Sequence, residues 1–161
     1  MSEHVATIAW NRGDALFRGG RYSRAHEWRF DGGAKVMASA SPDIVPTPWS
    51  DPGAVDPEEA FVAALSSCHM LWFLSLAAAK GFIVDSYEDE AIGHMQEIAP
   101  DKLAIAEVVL RPRVQFDPAH AADHAQVDAL HHAAHERCFL ANSVKTRIRV
   151  EQGGNTPESP R

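Results

Sequence analysis

The stretch DPEEAFVAALSSCHMLWFLSLAAAKG, residues 56–81, constrains the fold of this chain more than any other. It reads as one long helix. Asp56 suits the N-cap, Pro57 the first helical position, and Glu58 and Glu59 oppose the positive end of the helix dipole. Lys80-Gly81 supplies the stop. Phe61, Ala64, Leu65, Cys68, Leu71, Trp72 and Ser75 follow the 3/4 spacing of one face. Yet Val62, Met70, Phe73, Leu74 and Leu76 fill the other sides, and a helix apolar nearly all round needs cover on every side. A chain of 161 residues with one other good helix struggles to supply it. A second subunit would, so a homodimer is expected.

The flanking segments alternate between strand and helix signals. Residues 4–10 favour a strand, and residues 21–30 alternate more clearly, with Tyr22, Arg24, His26, Trp28 and Phe30 on one face. Asp31-Gly32-Gly33 is a hairpin turn with its return strand at 34–41. Five prolines between 42 and 57 mark an extended loop into the helix. Residues 82–98 and 103–116 each read as a strand, the latter at an edge or bulge because of Pro112. Residues 118–137 form a second amphipathic helix through Val127, Leu130, Ala134 and Arg137. A last strand carries Val144, Thr146, Ile148 and Val150 on one side. The order of elements is α+β, with a single domain over 1–151 and a disordered tail over 152–161.

Composition excludes several classes. Net charge is −7, from 15 basic and 22 acidic side chains, and no basic run interleaves with aromatics, so no nucleic-acid partner is expected. The N-terminus lacks the basic and apolar regions of a secretory signal. The longest apolar run, from Met70 to Ala79, is ten residues and too short to span a bilayer. A cytoplasmic protein without a membrane partner is expected, in a compartment where two cysteines are reduced, redox-active or inert.

Taken by residue type, Cys68 and Cys138 are small buried hydrophobes. The pair can also meet in the fold and cycle between dithiol and disulfide, but its spacing is neither CxxC nor a metal knuckle. Arg24 adds weight to a reactive Cys68, because a guanidinium stabilises a thiolate. On an apolar face Arg24 needs a carboxylate, and Glu58 or Glu59 is available; on an exposed edge it needs none. His131 and His135, at i,i+4, have the spacing to share a metal. They lack the HExxH glutamate, and nine histidines make chance pairs common, so no metal site is assigned. Ser66-Ser67 lacks the GxSxG turn of a serine hydrolase.

Two segments carry a resemblance. DPEEAFVAALSSC is similar to the first signature of the OsmC/Ohr family, and HERCFLANSVKTRIRVE resembles its second. YSRAHEWRFDGG and SSCHMLWFLSLAAAKGF resemble the OsmC-like branch. The resemblance implies an OsmC-like α+β fold, with antiparallel sheets wrapped around a buried central helix in an intertwined homodimer whose sites lie at the subunit interface. It implies a cofactor-free thiol peroxidase that reduces small organic hydroperoxides and is regenerated by an external dithiol. Cys68 would be the peroxidatic cysteine, Cys138 the resolving one, and Glu58 the carboxylate that holds an arginine. Arg24 is preferred for that arginine; Arg21, directly after Gly19-Gly20, is the alternative. An apolar pocket from Phe61 and Trp72 would favour organic peroxides. His69 after Cys68 and Phe139 after Cys138 depart from the family pattern. The competing reading is a non-catalytic homodimer that binds a small hydrophobic ligand at the same interface.

Overall fold

The structure, a computed structural model, describes residues 1–152; the expected tail, apart from Gln152, lies outside the described residues. The chain divides into two compact units, Met1–Ala60 and Phe61 onward.

The first unit is a three-stranded antiparallel sheet in the order β1 (Ala6–Ala9), β2 (His26–Phe30), β3 (Lys35–Ala38). The DGG turn closes β2 on β3. Phe30 N–H donates to the Ala34 carbonyl at 3.0 Å, and Gly33 takes a φ of 88° that a side chain would resist. The strand expected from residue 21 begins only at His26. Before it, Arg24 N–H turns to the Trp49 carbonyl and Ala25 N–H to the Ser23 hydroxyl, so the ladder cannot start. The proline-rich loop is tied down at the buried Ser39, whose N–H donates to the Val55 carbonyl and whose hydroxyl accepts from Asp51 N–H.

Helix α1 (Pro57–Ala79) starts at the end of this unit. Asp56 caps it as expected. Glu59 N–H donates to Asp56 Oδ1 at 2.7 Å, and Asp56 N–H donates back to the Glu59 carboxylate at 3.2 Å.

In the second unit the two expected strands at 82–98 and 103–116 are four. β4 (Val84–Asp89) pairs antiparallel with β7 (Pro112–Phe116), whereas β5 (Ile92–Ala99), β6 (Lys102–Leu110) and β8 (Arg147–Val150) form a separate sheet. Asp89 and Pro112 explain the divisions. The Asp89 carboxylate takes Arg111 N–H at 2.6 Å, removing that group from the β6 ladder, and Pro112 has no N–H to continue it. The sheets are antiparallel except that β8 lies parallel to β6. Helix α2 (His124–Arg137) begins at Asp123, later than the expected 118, with a reciprocal cap between Asp123 and Gln126.

The apolar face assigned to α1 needs correction. The buried stripe is Leu65, His69, Phe73 and Ala77, a strict i,i+4 row, while Leu71 is 60% exposed. Two clusters rest on this stripe. Phe73 and Ala77 pack with Leu130 and Ala134 of α2, and Leu65 packs with Val108 and Leu110 of β6. At Gly93 on β5 an added Cβ would sit 2.6 Å from Val62 Cγ2 and 3.2 Å from Ile105 Cγ2, which records how closely α1 lies on that sheet. By length and composition α1 could cross a membrane, a test that the core helix of a soluble protein also passes.

Candidate functional site

The structure brings the two cysteines together across 70 residues of chain. Cys68 sits half-buried at the middle of α1, and Cys138 is the buried C-cap residue of α2. Both are free thiols. Burial pushes the Cys138 thiol above its ordinary range, and a hydrogen bond with the Cys68 side chain adds to the effect. Ala141 N–H donates to Cys138 Sγ at 3.4 Å and opposes it. A helix end places a thiol well for this purpose: α2 stops at Arg137, and the chain turns through a short 3-10 segment, Ala141–Ser143, that folds back over the sulfur.

Two aromatic rings flank the thiols. Trp72, one turn after Cys68, meets Phe139 edge-on at 5.5 Å, and the Arg137 guanidinium lies over the Trp72 ring at 5.8 Å. Phe61 and Trp72 were expected to form one pocket. They pack instead in different clusters, Phe61 beside Leu65 and Trp72 beside Phe73. The residue that joins Trp72 is Phe139, 69% exposed, which sequence reading noted only as a departure from the family pattern.

In the first unit Arg24 is half-buried and precedes β2 rather than lying on its face. Its guanidinium donates to the Gly20 and Tyr22 carbonyls at 2.6 and 2.5 Å and lies 3.8 Å over the Tyr22 ring. His26 fixes its backbone: Nδ1–H donates to the Arg24 carbonyl at 2.7 Å while Nε2 accepts from Trp28 Nε1–H at 2.8 Å. That chain of bonds selects one tautomer and gives His26 a structural role. Arg21 is exposed. Glu59 is spent on the cap, and half-buried Glu58 in the first turn of α1 keeps its carboxylate available. Among the described residues no ion pair joins Arg24 to either glutamate.

Sequence reading missed one buried group. His69 Nε2 and His131 Nδ1 lie 3.0 Å apart in the core, with the rings within 10° of parallel. Both are lowered from 6.5 to about 4, chiefly by burial. No group of three or more metal-ligating side chains occurs among the described residues, and His131 is engaged with His69 rather than with His135. The i,i+3/i+4 offset from the apolar positions of α2 was the available signal, since His131 follows Leu130 and precedes Ala134 on the buried side.

Comparisons with known proteins agree with this architecture. Residues 50–152 match the family model described as OsmC-like protein. The chain is similar to the structure of an OsmC-like protein of unknown function from Vibrio cholerae, with 51% identity, a TM-score of 0.92, and coverage of 95% of this chain and 100% of that one. The organic hydroperoxide resistance protein OsmC of Legionella pneumophila shares the fold at 17% identity and TM-score 0.65, over 94% and 96% of the two chains. The organic hydroperoxide resistance protein OhrB of Bacillus subtilis does so at 18% and 0.62, over 94% and 98%. A search of the curated proteins finds no match. With the family model spanning the second cysteine, the whole of α1 and every strand of the second unit, the chain belongs to the OsmC-like family.

Proposed function

We propose that this chain is a thiol peroxidase that reduces organic hydroperoxides, and that it works as a homodimer. The observation that carries the reading is the meeting of Cys68 and Cys138: one thiol half-exposed, its partner buried and hydrogen-bonded to it. Two buried hydrophobes would not require that asymmetry. A peroxidatic and a resolving thiol do, because the first must meet substrate and the second must wait.

The chemistry follows from that arrangement. Cys68 thiolate attacks one peroxide oxygen, the O–O bond breaks, and the departing alkoxide takes a proton, leaving a sulfenic acid on Cys68. The Cys138 sulfur then attacks the sulfenic sulfur, its own proton leaving with the hydroxyl as water, and a disulfide results. An external dithiol returns both thiols by exchange, as a reducing cytoplasm allows. Arg24 supplies the guanidinium for the thiolate and the leaving alkoxide, and Glu58 holds it by a bidentate pair. Within one chain the Arg24 guanidinium is bonded to backbone carbonyls, so the pair forms across the subunit boundary in this reading. The uncovered apolar side of α1, Leu71 included, supports a partner subunit there.

Cumene hydroperoxide, with Cys68→Ser and Cys138→Ser variants, tests this. The parent should consume peroxide with dithiol present, Cys68→Ser should consume none, and Cys138→Ser should turn over once and leave a trappable sulfenic acid. Full consumption by Cys68→Ser would overturn the reading. No consumption by the parent would leave a ligand-binding dimer as the better account.

A further inference from the structure

The His69–His131 pair takes no part in the peroxide chemistry, yet it stands where that chemistry is aligned. His69 adjoins Cys68 on α1. His131 lies seven residues before Cys138 on α2, which is about −20° around an ideal helix and about 10 Å along it. The two contacts are therefore one residue apart on α1 and two turns apart on α2. Apart from the thiol contact that it would position, His69–His131 is the one side-chain hydrogen bond between these helices among the described residues. The other ties at this crossing are apolar: Phe73 lies 4.4 Å from the His131 ring and packs with Leu130 and Ala134. Apolar contacts permit sliding and rotation. A hydrogen bond between two rings wedged in the core permits one register.

We infer that the His69–His131 bridge is a positioning element that fixes the crossing of α1 and α2, and so holds the Cys138 sulfur within bonding reach of Cys68. The inference rests on the thiol-pair reading of the site. It requires the pair to carry a single proton between its facing nitrogens, since a proton on both would end the bond. Neutral imidazoles meet that requirement, and burial keeps both neutral until about pH 4.

The tautomer follows from what surrounds each ring. His69 Nδ1 is buried without a partner. An unpaired buried acceptor costs less than an unpaired buried donor, so His69 donates from Nε2 to His131 Nδ1. His131 then carries its proton on Nε2, and the residue lines a cleft of about 340 Å³ with Asp128, His132, His135, Arg149 and Gln152. Several titratable or charged groups surround the pair. On α2, His135 disfavours and Asp128 favours a charge; Asp89 on β4 favours one. Tyr87, also on β4, packs against Phe73, and its buried hydroxyl is held above its ordinary range. Arg149 on β8 lines the cleft and is paired with Glu107 and Glu151. Acid should therefore break the bridge when a proton occupies His131 Nδ1, the nitrogen that accepts from His69.

The test equilibrates the full chain with mixtures of reduced and oxidised glutathione at pH 7 and reads the effective concentration of the thiol pair by trapping and mass spectrometry. His69→Leu and His131→Leu should each lower it about tenfold, the upper range for one buried hydrogen bond. His131→Asn keeps an acceptor for His69 Nε2–H and should stay near the parent. Folded leucine variants that match the parent would overturn the inference. Where those variants do not fold, the parent alone decides through reciprocity. Imidazole nitrogen shifts followed against pH should show both rings titrating lower in the disulfide form than in the dithiol form. Equal midpoints would overturn the inference as well. Neither readout uses peroxide, so failure here and failure of the peroxidase reading are separate results.

Discussion

Two sides of α1 have nearly the same hydrophobicity and opposite fates. Leu65, His69, Phe73 and Ala77 are buried under α2 and the β5–β6–β8 sheet, whereas Leu71, on the far side, stands 60% exposed. The buried row contains the one histidine, and the exposed side contains leucine. Hydropathy alone would have ranked them the other way. What decides burial is which neighbours the chain can bring: the buried row meets α2 and β6 of its own unit, and the far side has no such cover. His69 is tolerated in the row because His131 pairs with its Nε2, which leaves only Nδ1 without a partner.

This comparison can be broken in graded steps. Phe73→Ala removes the largest buried side chain of the row and should cost about 3–5 kcal/mol in chemical denaturation. A loss below about 1 kcal/mol would mean that the row is not the core. Acidification comes next. His69 and His131 have folded values near 4 against 6.5 in the unfolded chain. Between these values the unfolded state binds protons that the folded state refuses. Stability should therefore be full above pH 6.5, fall as pH drops toward 4, and level off below. At about 1.4 kcal/mol per unit the total is a few kcal/mol. A double His69→Leu, His131→Leu variant should lose most of that slope, leaving the carboxylate contributions.

Gly93→Ala places a methyl against Val62 and Ile105 and should cost about 1–3 kcal/mol, read as a lower Tm. An unchanged Tm would show that α1 lifts freely from the sheet. Leu71→Asp should have the smallest effect on the fold itself, within about 0.5 kcal/mol for an exposed site. It should nevertheless shift the protein from dimer to monomer in light scattering at micromolar concentration. Leu71→Asp that remained fully dimeric would remove this side of α1 from the interface.

Local signals made much of the fold legible. The Asp56 cap, the DGG turn and the Gly81 stop each depend on near neighbours, so the sequence carries them directly. Strand limits were less legible. Arg24 bonds to Trp49, and Asp89 to Arg111, across 25 and 22 residues, and these distant partners ended strands that local alternation would have continued. The row actually buried on α1 was illegible for the same reason, since a uniformly apolar helix has no period to read. At the site, the two cysteines came from family resemblance rather than from spacing. The His69–His131 bond was hidden because each histidine alone looks like a polar interruption, and only the packing of α1 on α2 makes them one group.

The most direct measurement adds one equivalent of cumene hydroperoxide to the fully reduced protein, then traps remaining thiols and maps the peptides. Both cysteines are free before the addition. The account predicts loss of both thiols within each chain and a peptide pair cross-linked between Cys68 and Cys138. Two thiols still free after the peroxide is added, or a cross-link only between chains, would contradict it.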